Sequence, residues 1–127
     1  MPEHVHLLVW ATSPQYSISA FLQTMKQSVS RRTIAWLRRH DPAGLEAMTT
    51  GWKDKPYQFW QDGGGYDRNV TRGKTLLAVL EYIHNNPVKR GLISLPERWR
   101  WSSAADWAGI AAGPVPLDKD SFLESIA

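Results

Sequence analysis

Two histidines near the start of the chain, His4 and His6, stand two residues apart with Val5 between them. An apolar run, Leu7-Leu8-Val9-Trp10, follows them, with Pro2 before and Thr12-Ser13-Pro14 after. This pattern predicts a buried strand over residues 2–10. Side chains alternate across a strand, so both imidazoles share one face. Two neutral imidazoles so placed can hold one divalent metal. The competing reading is a half-buried strand whose histidines hydrogen-bond to their neighbours. Two glutamines on the following segment, Gln23 and Gln27, could add an oxygen ligand. A phenol is a candidate nucleophile. Tyr66 follows three consecutive glycines, Gly63 to Gly65, and has Arg68 and Arg72 close behind. It reads either as a nucleophile or as a structural tyrosine of a loop.

The charge pattern points toward a polyanion. The formal balance is 15 − 12 = +3, mildly basic. From His4 to His40 there is no Asp or Glu, while Lys26, Arg31, Arg32, Arg38 and Arg39 are all present. A sign-segregated stretch of this kind attracts nucleic acid, or else forms a solvated helix face. Arg98 and Arg100 alternate with Trp99 and Trp101. As a strand, that segment would present one basic and one aromatic face, suited to phosphate contact and base stacking, or to core packing with solvated arginines.

Length and composition set the frame for these residues. A chain of 127 residues is one domain by size. Mean hydropathy of −0.39 and the lack of a long apolar run exclude a membrane-spanning helix. Residues 1–10 have neither the basic start nor the cleavage site of a signal peptide. The absence of cysteine excludes disulfides and thiolate zinc sites. A cytoplasmic, nucleoid-associated location is the resulting expectation.

The elements follow from periodicity. Residues 18–40 predict a long amphipathic helix, capped by Ser17 or Ser19. Its apolar face is Ile18, Phe21, Leu22, Met25, Val29 and Trp36, opposite a stripe of Gln23, Gln27, Arg31 and Arg38. Asp41-Pro42 ends it. One or two helical turns are expected within Ala43 to Met48, then a loop over 51–56 and a short aromatic strand leading to the glycines. Residues 74–85 predict a second helix, with Leu76, Leu77, Leu80 and Ile83 inward and Asn86-Pro87 as the stop. Gly91 permits a tight turn. Residues 108–127 read as a linker, marked by Gly109, Gly113, Pro114 and Pro116, and a short acidic tail from Asp118 to Ala127 that could hold one set of helical turns.

Several segments together carry a resemblance. Met1-Pro2-Glu3-His4-Val5-His6-Leu7-Leu8 resembles the His-hydrophobic-His ("HUH") signature of the IS200-like single-tyrosine transposases, closest to the REP-associated branch. Phe59 to Asn69 is similar to that branch's Trp-Gln … Tyr-Asp segment. Tyr82-Ile83-His84-Asn85-Asn86-Pro87-Val88-Lys89-Arg90-Gly91-Leu92 resembles its Tyr-Ile-His-x-Asn-Pro-Val-x-x-Gly-Leu element. Pro96-Glu97-Arg98-Trp99-Arg100-Trp101-Ser102-Ser103 resembles its Pro-x-x-Trp-x-Trp-Ser-Ser element. The resemblance covers residues 1–107, leaving 108–127 as linker and tail.

The resemblance implies an α+β fold, an antiparallel-sheet ferredoxin-like domain. The family's domain normally has a strand, a helix and another strand before the histidine segment, and here those would be lacking. The histidine strand would then keep an unpaired edge, with marginal stability or homodimer formation as the consequence. The implied activity is metal-dependent nicking and joining of single-stranded or hairpin DNA in transposition. His4 and His6 would bind Mg or Mn, and the family's polar third ligand has no matched residue here, Gln27 (or Gln23) being a candidate from helix geometry alone. DNA contacts would come from Lys26, Arg31, Arg32, Arg68, Arg98 and Arg100. The resemblance also places the nucleophilic tyrosine on the helix after the histidines. Ser28 or its neighbours stand at that place, and no tyrosine lies between Ser17 and Pro56. Tyr66 is therefore the substitute nucleophile to consider. Two other readings stay open: a DNA-binding transposase remnant without catalysis, and a small zinc-binding protein unrelated to DNA.

Overall fold

The structure is a computed structural model describing all 127 residues, Met1–Ala127. It is helical. In chain order the elements are α1 (Ile18–His40), α2 (Pro42–Glu46), α3 (Gly73–Lys89), a 3-10 turn (Pro96–Arg98), α4 (Ala104–Trp107) and α5 (Lys119–Ile126). No helix is long and apolar enough to cross a membrane. Two compact units result, one of residues 11–66 and one of residues 1–10 with 67–127.

The expected antiparallel-sheet ferredoxin-like fold is not what the chain adopts. The only β pairing is an isolated antiparallel bridge between Thr49 and Tyr57. Residues 2–10 form no strand, although their composition suits one. A strand exists only through ladder hydrogen bonds to a neighbour, and no other segment supplies that ladder. The Tyr57 segment is occupied by its bridge to Thr49. The Arg98–Trp101 segment, expected as an alternating strand, instead begins as a 3-10 turn. Pro96 opens this turn, and the amides of Arg98 and Trp99 close it onto Leu95 and Pro96 at 3.1 Å each. Without a sheet over them, Val5, Leu7, Leu8, Val9 and Trp10 are exposed.

The unit of residues 11–66 is built on α1. Ser17 caps it, its Oγ accepting from the Ala20 amide at 3.2 Å. Asp41 serves two helices at once. Its N–H closes α1 onto the Leu37 carbonyl at 2.8 Å, and its Oδ1 accepts from the Gly44 amide at 3.0 Å to start α2. Pro42 takes the first turn of α2, where a missing N–H costs nothing. α1 and α2 pack together and each contributes its one buried leucine, Leu37 and Leu45. Trp60 joins this unit to α1 through its Nε1–H, which donates to the Lys26 carbonyl at 2.9 Å. Of the apolar face expected for α1, Phe21, Val29 and Trp36 are exposed.

The second unit is organised by α3. This helix does not stop at Asn86-Pro87 but runs on to Lys89, with Pro87 buried inside it. Proline in a helix interior forfeits one i→i−4 bond, yet the last turn is closed around it. The amides of Arg90, Gly91 and Leu92 donate to the carbonyls of Asn86, Val88 and Pro87. Gly91, at φ 69°, ends the helix in the left-handed region that glycine tolerates. α3 packs against the 3-10 turn and α5, and the turn packs against α4. Leu76 and Ala104 are its buried apolar residues.

The helical turns that the tail could hold are formed as α5. Asp118 caps it through the Ser121 amide at 3.1 Å. The Lys119 ammonium reaches the Asp106 carboxylate at 2.6 Å, and the Trp107 and Phe122 rings meet edge to face at 5.0 Å. At Gly73, a Cβ would lie only 3.0 Å from the Ile126 backbone, so a side chain there would push the end of α5 away by a few tenths of an ångström.

Candidate functional site

His4 and His6 keep the alternation their spacing implies even without a sheet. Both are partly buried, whereas Val5 between them is exposed. Their rings stand edge to face at 4.7 Å, and the two Nε2 atoms face one another at 3.1 Å. One Nε2–H can donate to the other, or both lone pairs can turn to a single small cation. Burial first, then the neighbouring His4, lowers the pKa of His6, which favours its neutral form.

α3 supplies the rest of the site. Tyr82 and Asn86 are four residues apart on this helix, and Lys89 follows three later, so all three lie on one face. The Tyr82 ring meets the His6 ring edge to face at 5.5 Å and is half exposed. The buried Asn86 amide sits 3.3 Å from His6 Nε2. Turned over, the same amide would present Oδ1, an oxygen donor, at that position. No third His, Asp or Glu joins the pair, so a neutral amide is the available third donor. The Lys89 ammonium lies over the Tyr82 ring, 5.6 Å from its centre. Arg90 closes the arrangement from outside, its Nη2 2.7 Å from Glu3 Oε1. The Glu3 carboxyl is held below its ordinary value mainly by its own backbone N–H, with Arg90 adding to the effect.

The other residues singled out by sequence fall elsewhere. Gln27 lies on α1 in the unit of residues 11–66, whereas the histidines belong to the other unit. Its carbonyl accepts from Arg31 Nε at 3.3 Å. Tyr66 ends that same unit and is 90% exposed. Lys26 sits over the Trp60 ring at 5.9 Å, and Arg32 is exposed on α1. In the histidine unit Arg68 is exposed, Arg98 donates to Ser94 Oγ at 3.5 Å, and Arg100 stacks over Trp101 at 5.0 Å. Tyr82 and Asn86 were not among the site residues expected from sequence. The signal that finds them is their i, i+4 spacing on a helix, within the segment of strongest resemblance.

Residues 1–86 match the family model described as "Transposase IS200 like". The chain belongs to the IS200-like transposase family. Membership makes this a transposase chain with DNA as its partner. Among curated proteins and solved structures nothing matches it.

His84, in the same helix segment, does a different job in this transposase chain. Its Nε2 lies 2.8 Å from Ser103 Oγ, tying α3 to the residue that precedes α4. Burial lowers its pKa, and the nearby Glu97 opposes this only in part. A pKa lower in the folded chain than in the unfolded one means that the unfolded chain takes up protons first. The contribution of His84 to stability is then complete above about pH 6.5 and is lost as pH falls through the folded value. Thermal melts at stepped pH should show stability dropping on acidification. His84→Gln should flatten that drop; an equally steep drop in the variant would exclude His84 as the cause.

Proposed function

We propose that this IS200-like chain nicks and rejoins single-stranded or hairpin DNA, with Tyr82 as the nucleophile beside a divalent metal held by His4 and His6. The observation that carries the reading is the meeting of His4, His6, Tyr82 and Asn86 within one unit. Two imidazole nitrogens 3.1 Å apart suit adjacent positions around one small cation, and the Asn86 amide offers a third donor. Imidazole ligands favour Mn over Mg when both are present. The chemistry a bound ion supplies is polarisation of the scissile phosphate and stabilisation of the charge that develops on it.

The chain's own residues do the rest. The Tyr82 oxygen, deprotonated to solvent, attacks the phosphorus in line. A bond forms between phosphorus and the phenolic oxygen, and the bond to the 3′ oxygen breaks. The 3′ oxygen takes up a proton and leaves as a hydroxyl, and the 5′ phosphate stays on the tyrosine. Attack by a 3′-hydroxyl on the phosphotyrosine reverses these steps and joins the strands. Lys89, over the ring, offers a cation to the phosphate. Lys26, Arg31, Arg32, Arg68, Arg98 and Arg100 supply backbone contacts whose strength falls with salt. Hairpins formed by repeated palindromes are the substrate that the REP-associated resemblance suggests.

The test is incubation of the full chain with labelled single-stranded hairpin DNA and Mn²⁺, read on a denaturing gel. A labelled band retained on the protein is the expected outcome. Salt-sensitive binding with no covalent band would favour the DNA-binding remnant instead.

A further inference from the structure

A closed ring of contacts surrounds the histidine pair. Glu3 Oε1 lies 2.7 Å from Arg90 Nη2 and 3.6 Å from His4 Nδ1. His4 Nε2 faces His6 Nε2 at 3.1 Å, and His6 Nε2 lies 3.3 Å from the Asn86 amide. The Asn86 carbonyl accepts from the Arg90 amide at 3.0 Å, which brings the ring back to its start. Once His4 commits the Nε2 lone pair inward, its proton must sit on Nδ1. The carboxylate that faces Nδ1 is Glu3. At 3.6 Å the two atoms stand just beyond hydrogen-bond distance, with the carboxylate facing the Nδ1 side of the ring.

We propose that Glu3 is a positioning residue for His4, orienting the imidazole through Nδ1–H, and that Arg90 holds the Glu3 carboxylate in place. This rests on the reading of His4 and His6 as metal ligands. A carboxylate on the outer nitrogen fixes the tautomer and ring angle of a ligating histidine and raises its basicity. Arg90 suits the anchoring role because it is the capping residue of α3, held by its own backbone bond to Asn86. The last turn of α3 thus supports the site from two sides, through Asn86 at His6 and through Arg90 and Glu3 at His4. The opposing possibility is an ordinary ion pair between two half-exposed side chains, which would contribute little to anything.

Mn²⁺ titration of the full chain by calorimetry separates the two. Glu3→Gln keeps the shape and removes the charge, and it should weaken Mn²⁺ binding by about 10–100-fold with an unchanged metal-free melting temperature. Arg90→Gln approaches the same contact from the other side and should weaken binding less. The double variant should be no weaker than Glu3→Gln alone, because both act through one contact. The absorption spectrum of bound Co²⁺ should shift in Glu3→Gln, a change that loss of a surface ion pair would not produce. Equal Mn²⁺ affinity in Glu3→Gln and wild type, with binding lost in His6→Ala, would overturn the role of Glu3 and leave the metal reading standing. No Mn²⁺ binding by the wild-type chain would overturn both.

Discussion

Tyr82→Phe is expected to abolish the protein–DNA adduct and to lower strand cleavage by roughly 10³-fold or more, the scale of losing a nucleophile. Removing one oxygen from a half-exposed ring leaves the edge-to-face contact with His6 intact. Folding and Mn²⁺ binding should therefore be unchanged, which isolates the chemical step. Tyr66→Phe is the control. Tyr66 is 90% exposed and belongs to the unit of residues 11–66, so its variant should keep the adduct. Adduct loss in Tyr66→Phe together with retention in Tyr82→Phe would move the nucleophile to the glycine-rich loop.

His6→Ala should have the second large effect, this time on metal and DNA chemistry together. His6 is the centre of the site: its Nε2 faces both His4 and the Asn86 amide, and its ring meets Tyr82. Loss of this ligand should weaken Mn²⁺ binding by at least about 100-fold, beyond what loss of a mere supporting partner costs, and should remove the covalent product. Salt-dependent DNA binding should survive, because the basic residues that attract phosphate are left in place. A His6→Ala chain that still binds Mn²⁺ as wild type does would show that the histidine pair is held by hydrogen bonding alone.

What the sequence made legible, and what it hid, follows from how local each signal is. The bounds of α1 could be read because Ser17 and the Asp41-Pro42 pair are punctuation with a local mechanism, a side-chain cap and a residue with no N–H. The histidine alternation was legible for the same reason, since it needs only the chain between residues 4 and 6. That residues 2–10 form no strand was not legible, because a strand is decided by a distant partner. Composition can suit pairing without any segment to pair with. Pro87 reads as a helix stop, yet carbonyls of the final turn are taken up by the Arg90, Gly91 and Leu92 amides and the helix continues. The helical turns of the tail were legible from Asp118 as a local cap, but their packing was not, because Phe122 on Trp107 and Lys119 on Asp106 are contacts made only in the fold.

The site itself was half visible. His4 and His6 stand out by spacing, but the resemblance points for a phenol to α1, the next helix in sequence, which carries none. α3 is more than sixty residues further on, and only folding brings Tyr82 and Asn86 to the histidines. The i, i+4 spacing of those two residues is the local trace of a long-range arrangement. It gains meaning once the helix is known to continue through Pro87.

Peptide mapping of the covalent product tests the central claim most directly. After reaction with hairpin DNA and Mn²⁺, nuclease trimming and trypsin digestion, mass spectrometry locates the residue that carries the nucleotide. The tryptic peptide of residues 75–89 contains Tyr82 as its only tyrosine. The expected result is a nucleotide phosphate on that peptide, fragmenting to Tyr82. A nucleotide on the peptide that holds Tyr66, or none on any tyrosine, would contradict the account.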